Sequence, residues 1–338
     1  MGILDAPPQA IEERFGRQLG RPVRLVERKL AGEGLSDETG VLVLDDDGEL
    51  RKVVVRLFRP GAMARHEVDP RRLHRLLVAL TATPVPVPQP LWFDADRSLF
   101  GESYSVVAWV PGIAVVPWSP EGRKYLAEVG RGPIGEDFCR ILAEIHAIDQ
   151  HTADVGFLGV PPAGTAFAEA EIARLEDYLR RVADEPEPII VDGLGWLRAN
   201  VPASERIGLV HGDYRTGNVL FGDDRVNAVI DWEFARLGDP LYDVGWVCCP
   251  SNRVDSDLVC MILPQEEFLA RYERHAGCRV DRDALHFWIT FHQVRHAVMW
   301  LDAGKKVRDG QIDDLRLARM HYTMPTMRAM VADCLAYT

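Results

Sequence analysis

Between residues 209 and 243 a β-like patch interrupts a chain that otherwise reads as helical from residue 120 onward: LVHGDYRTGNVLFGDDRVNAVIDWEFARLGDPLYD. Ile207–His211, Val219–Phe221 and Val226–Ile230 have the short apolar runs of strands. The first strand ends at His211. A loop with Gly212 and Gly217 follows and carries Asp213 and Asn218, and the second strand pair ends at Asp231. Strand ends joined by tight loops present side chains rigidly, so Asp213, Asn218 and Asp231 are expected together. Two carboxylates and an amide oxygen are hard ligands suited to Mg²⁺. A carboxylate left off the metal can accept a proton from a hydroxyl.

The patch divides two differently patterned regions. Residues 9–20 predict an amphipathic helix through Ile11, Phe15 and Leu19. Strands are expected at Val23–Leu30, Gly40–Leu44 and Arg51–Phe58, with Asp45-Asp46-Asp47-Gly48 turning between the last two. A helix over 62–81 must be started or interrupted by Pro70. The segment 84–90 is too proline-rich for a regular state, and strands follow near 91–95 and 103–110. From there helices are predicted at 120–130, 134–149, 165–183, 188–200, 264–276, 281–303 and 311–335. The expected architecture is α+β: a small β-rich lobe over 1–112, a hinge at 107–113, and a large, mostly helical lobe over 113–338.

Charge narrows the partners. The 338 residues carry 39 Lys and Arg against 51 Asp and Glu, a net charge of −12. Residues 1–112 contribute −1 of this and residues 113–338 contribute −11. General nucleic-acid binding needs a basic surface and is not expected. No stretch reaches 18 apolar residues, so no membrane span is expected. The start, MGILDAPPQAIEERFG, lacks the basic and apolar regions of a secretion signal. Six cysteines, none in a CxxC pair, read as reduced thiols of a cytoplasmic protein, with Cys248 and Cys249 in the core.

His-Gly-Asp-Tyr-Arg-Thr-Gly-Asn at 211–218, Ile-Asp-Trp-Glu at 230–233 and Gly-Asp-Pro-Leu-Tyr-Asp at 238–243 resemble the aminoglycoside phosphotransferase and choline kinase group, which shares the protein-kinase-like two-lobe fold. The resemblance implies an ATP- and Mg²⁺-dependent transfer of the γ-phosphate to a small-molecule hydroxyl. It makes Asp213 the catalytic base, places Mg²⁺ on Asn218 and Asp231, and lets Arg215 neutralise charge on the phosphoryl group. His211 and Asp243 are expected to be structural. Seven residues separate Asp231 from Asp239, too few for the activation segment of a protein kinase.

In the first lobe, Gly32-Glu33-Gly34-Leu35-Ser36 corresponds by this resemblance to the glycine-rich hairpin over the nucleotide phosphates. Gly32, Gly34 and Ser36 are its expected contacts. Arg56, ending Val53-Val54-Val55-Arg56, stands where protein kinases carry the phosphate-gripping Lys, with Lys52 as a competitor. Glu67 is the nearest carboxylate to pair with it, and the following segment, with Arg71, Arg72 and His74, is basic. Val107 and Trp109 are expected at the adenine. The resemblance spans about 25–330, and Gly195–Pro202 with 308–314 is similar to the branch fused to some acyl-CoA dehydrogenases. That branch makes a hydroxyacyl-CoA a second candidate acceptor, for which Lys305, Lys306 and Arg308 could supply a basic patch. A catalytically weak nucleotide-binding protein and a purely structural α+β protein are two further functional classes that the residues leave open.

Overall fold

In the computed structural model, residues 2–31, 38–58, 69–253, 256–312 and 314–336 are described. The contacts divide the chain into two units: residues 1–112 with 227–230, and 113–226 with 231–338.

Helix α1 (Pro8–Leu19) opens the first unit, and a five-stranded sheet carries it. The strands are β1 (Arg24–Leu30), β2 (Thr39–Asp46), β3 (Glu49–Leu57), β4 (Pro90–Asp94) and β5 (Tyr104–Ala108), with α2 (Pro70–Leu80) between β3 and β4. All pairings are antiparallel, in the order β1-β2-β3-β5-β4. The Asp45–Gly48 turn works as its composition demands. Asp47 and Gly48 both take positive φ, at 54° and 85°, which is the two-residue hairpin geometry that Asp-Gly supports. Gly48 N–H donates to Asp45 Oδ1 at 2.8 Å.

Alternation in β3 sorts the faces. Val53, Val55 and Leu57 are buried against Ile11 and Phe15 of α1, and Phe15 meets the edge of Trp92 at 5.0 Å. Lys52, Val54 and Arg56 lie on the opposite face. Pro70 starts α2, since a missing N–H costs nothing in a first turn, and Asp69 caps the helix through Arg71 N–H. Residues 59–68, the start of the helix expected over 62–81, lie outside the described residues. Residues 227–230 join this unit through Val229 N–H on Pro86 O and Asn227 Nδ2 on Pro111 O, both at 2.8 Å.

The second unit contains β6 (Ile113–Ala114), α3 (Pro120–Val129), α4 (Pro133–Ala147), α5 (Ala166–Val182) and α6 (Pro188–Ala199). Next come β7 (Gly208–Val210), β8 (Val219–Phe221), β9 (Val226–Val229), whose last three residues belong to the first unit, β10 (Arg236–Gly238), α7 (Leu241–Cys248), β11 (Leu258–Val259) and β12 (Leu263–Pro264). Then α8 (Gln265–Ala276), α9 (Arg282–Arg308), α10 (Leu315–Tyr322) and α11 (Met324–Leu335) close the chain. Its core forms where α9 presents Trp288, Phe291, Val294 and Val298 to α5, α6 and α11.

Four expectations need correction. The helix expected at 281–303 runs on to Arg308. The helix expected over 311–335 is two, because Pro325 cannot donate to the preceding turn and α11 restarts there. Helix α7 has no counterpart among the expected helices, since Leu-Tyr-Asp-Val-Gly-Trp-Val-Cys is apolar nearly throughout and shows no period. The β-patch is not one unit: β7 pairs with β10, which periodicity does not reveal, while β8 pairs with β6. All six cysteines are free; Cys278 is exposed and the other five are buried. No helix among the described residues is long and apolar enough to cross a membrane.

Candidate active site

Strand β7 ends in a turn that only its own sequence allows. Gly212 has φ +83°, and a Cβ there would lie 2.6 Å from Phe234 Cβ and from Phe234 O, so glycine is required twice over. The turn hangs on one buried carboxylate. Asp243 of α7 accepts His211 N–H on Oδ2 at 2.6 Å and Gly212 N–H on Oδ1 at 2.8 Å. His146 of α4 reaches Asp243 Oδ2 at 3.3 Å and places its other ring nitrogen 2.7 Å from the Tyr272 hydroxyl of α8. Burial works to raise the Asp243 carboxyl. The hydrogen bonds and charge of its histidine partners outweigh burial and hold it below the usual carboxylate range.

Beyond this anchor the loop closes around Asp213, whose side chain is 12% exposed. Its N–H donates to His211 Nδ1 at 3.2 Å. Arg215 Nε donates to Oδ1 at 3.1 Å, and Asn218 Nδ2 donates to Oδ2 at 2.7 Å and to Asp213 O at 2.9 Å. Each carboxylate oxygen keeps a lone pair. Asn218 spends its NH₂ on Asp213, so its Oδ1 is the ligand atom that remains. Thr216 Oγ1 on Cys260 O and Tyr214 OH on Phe138 O tie the loop to its surroundings.

Asp231 follows with φ 68° and ψ 49°, a left-handed conformation that Asp tolerates better than most residues. Its charge reaches Arg215. Burial would lower that guanidinium, but Asp213 and Asp231 prevail and raise it above its ordinary value. Among the described residues no cluster of three or more His, Cys, Asp or Glu could hold a metal. Asn218 Oδ1 and the Asp231 carboxylate each offer a hard oxygen. That fits Mg²⁺, which keeps several waters and completes its shell with phosphate oxygens.

The structure therefore brings Asp213, Arg215 and Asn218 into direct contact, with Asp231 close enough to act on Arg215. In the first unit, Arg56 sits on β3 opposite Thr39 and Ser105, its guanidinium 6.0 Å from the Phe58 ring. Lys52 lies over Trp109 instead, 4.7 Å from the ring centre. Val107 pairs with Val54, and Trp109, 39% exposed, donates its N–H to Lys52 O at 3.2 Å. Gly32, Gly34, Ser36 and Glu67 lie outside the described residues. Helix α2, Pro-Arg-Arg-Leu-His-Arg-Leu-Leu-Val-Ala-Leu, holds no carboxylate.

Two features escape sequence reasoning. His146 and Tyr272 anchor Asp243, yet a single His on an amphipathic helix carries no motif. The cations that could have made a basic patch are neutralised at a helix end: Lys305 pairs with Asp184 and Asp309, Lys306 with Asp302, and Arg308 with Asp184.

Residues 27–288 match the family model described as the phosphotransferase enzyme family, APH. Acyl-CoA dehydrogenase family member 10 of Mus musculus is 26% identical over 324 residues, covering 90% of this chain and 29% of that protein. The chain thus spans less than a third of the acyl-CoA dehydrogenase relatives it matches. The crystal structure of a Ralstonia eutropha chain assigned as an aminoglycoside phosphotransferase superposes with a TM-score of 0.75 at 24% identity, covering 97% of this chain and 98% of that one. A thermostable mutant of aminoglycoside phosphotransferase APH(4)-Ia, in ternary complex with AMP-PNP and hygromycin B, gives a TM-score of 0.64 at 19% identity. It covers 97% of this chain and 100% of that one. The fold is the kinase-like fold of the aminoglycoside phosphotransferases.

Proposed function

Because the chain belongs to the phosphotransferase enzyme family, we propose that it is an ATP- and Mg²⁺-dependent kinase that phosphorylates a hydroxyl of a small molecule. The observation that carries the proposal is the pinning of Asp213, one oxygen by Arg215 and the other by Asn218.

In this reading Asp213 orients the acceptor hydroxyl. The hydroxyl oxygen bonds to the γ-phosphorus as the bond to the bridging oxygen breaks, ADP leaves, and the hydroxyl proton passes to Asp213. Arg215 fixes the carboxylate rotamer and offsets phosphoryl charge. Asn218 Oδ1 and Asp231 would hold the Mg²⁺, which would neutralise charge on phosphate oxygens. Residues 1–112 form the nucleotide-binding lobe, with Arg56, Gly32, Gly34 and Ser36 on the phosphates and Val107 and Trp109 at the adenine. Residues 113–338 carry the catalytic loop and the acceptor site. The free cysteines suit a reducing, cytoplasmic setting.

A second reading is a nucleotide-binding protein with little transfer activity. Coupled ADP release with Mg²⁺ and ATP, over aminoglycosides, hydroxyacyl-CoA esters, choline, homoserine and hydroxy acids, separates the two. Turnover that disappears in Asp213→Ala establishes the kinase. Mg·ATP binding without turnover on any acceptor favours the second reading.

A further inference from the structure

Arg295, on α9, is unlike most half-buried arginines of the second unit. Arg140, Arg236, Arg271 and Arg328 each meet at least one carboxylate. Arg295 meets none among the described residues. Its guanidinium is held between two rings, 5.6 Å from the centre of Phe234 and 5.2 Å from that of Trp246. Among the described residues only Nη1 has a hydrogen-bond partner: it donates to the Tyr242 hydroxyl at 3.0 Å and, less closely, to His292 Nδ1 at 3.4 Å. His292 gives its Nε2–H to Tyr242 O at 2.7 Å, so Nδ1 is a neutral acceptor and supplies no counter-charge. Nη2 and Nε remain as a planar fork of donors, the geometry that carboxylates match.

The location matters as much as the pairing. Phe234, one wall of the clamp, packs against Gly212, the residue preceding Asp213. His296, one turn from His292 on α9, bonds Ser251 and stacks near Trp246 at 5.1 Å. Burial drives His296 down to about 3, and the charges of both Arg295 and Arg215 add to the effect. Arg215 is bonded to Asp213, so the two guanidiniums flank one neighbourhood. The unit's overall negative charge does not describe this place. A polycationic acceptor would meet the guanidinium of Arg295 here, while that of Arg215 is paired with Asp213.

We propose that Arg295 is a specificity-determining residue of the acceptor site, and that the acceptor is a hydroxy carboxylic acid. Its carboxylate lies on the fork of Arg295 and its hydroxyl is presented to Asp213. This rests on the kinase reading for the hydroxyl, but the anion site can be tested apart from it.

The full chain is assayed for ADP release with Mg·ATP and 2-, 3-, 4- and 6-hydroxyalkanoates, their primary amides and the matching hydroxyalkyl phosphates. Thermal shift with the same compounds reads binding alone. The expected result is at least one acid preferred over its amide by about 10-fold or more in kcat/KM. Arg295→Met should raise KM for that acid about 10- to 100-fold, the size of one lost charge-assisted contact, with a smaller change in kcat and a smaller loss for the amide. Arg295→Lys, which keeps the charge and loses the fork, should fall between, and covers the case in which Arg295→Met does not fold. Equal use of acid and amide, an unchanged preference in Arg295→Met, or a preference for the phosphates or for amino sugars overturns the proposal. Acid-dependent stabilisation lost in Arg295→Met, with no ADP release from any acceptor, would uphold the anion site and sink the kinase reading. The absence of both turnover and stabilisation overturns the proposal itself.

Discussion

The sheet of the first unit and the loop around Asp213 are held by opposite means. In the sheet, stability is spread over many apolar side chains: Leu42, Leu44, Val53, Val55 and Leu57 share one buried face with α1. Each contributes a fraction and none is directional. In the loop, geometry rests on a few polar groups. Asp243 alone fixes two successive N–H groups, and Asp213 is fixed by two side chains. A distributed core tolerates change gradually, whereas a polar hub fails when one member is removed.

The strongest test of that contrast is Asp213→Asn. Turnover should fall by about 10²- to 10⁴-fold, the usual worth of a positioned general base. The unfolding midpoint should stay close to wild type, because Asn keeps the shape of the side chain and the charge of Asp231 still acts on Arg215. An equal loss of stability would erase the distinction between the hub and its support. Asp243→Ala is next. It leaves the His211 and Gly212 N–H groups and His146 without their acceptor, and should cost about 3–5 kcal/mol in urea unfolding. Turnover should fall with it even in the fraction that folds.

On the sheet side, Leu57→Ala should cost about 2–5 kcal/mol for the lost transfer energy and the cavity. Its KM and kcat in the cold should match wild type, and a changed kcat would mean that the sheet's packing also sets loop geometry. Smaller is the pH term from His296. Its folded value, about 3, lies below that of the unfolded side chain, near 6.5. The unfolded chain therefore takes up the proton first. Stability from this group is complete above about pH 6.5 and declines as pH falls toward 3, by at most about 1.4 kcal/mol per unit. Urea titrations of His296→Gln should show a shallower decline. Least of all, Lys305→Ala should leave the midpoint unchanged, as an exposed ion pair in water contributes little.

The same contrast governs what a reader of the sequence can recover. Alternation over Val53–Leu57 and the Asp-Gly turn make the hairpin legible, since both signals are local. Asp213, Asn218 and Asp231 are legible because their spacing around two short strands is constrained by chemistry. The pairing of β7 with β10 is not, because nothing in Gly208–Val210 names a partner 28 residues away. Helix α7 is hidden by its uniform burial. His146 and Arg295 are hidden for a further reason: periodicity reports which face of a helix is covered, not which polar atom meets which. The roles assigned to Arg56 and the glycines rest on resemblance.

The uneven exposure of the thiols has a practical side. Burial lifts Cys139, Cys260 and Cys334 to about 12 and Cys249 to about 11, and raises Cys248 as well. At neutral pH these five are protonated and shielded from reagents. Cys278, in the turn after α8, is the accessible one. A maleimide dye or spin label should therefore attach once per native chain, giving a spectroscopic reporter in the second unit without any engineered cysteine.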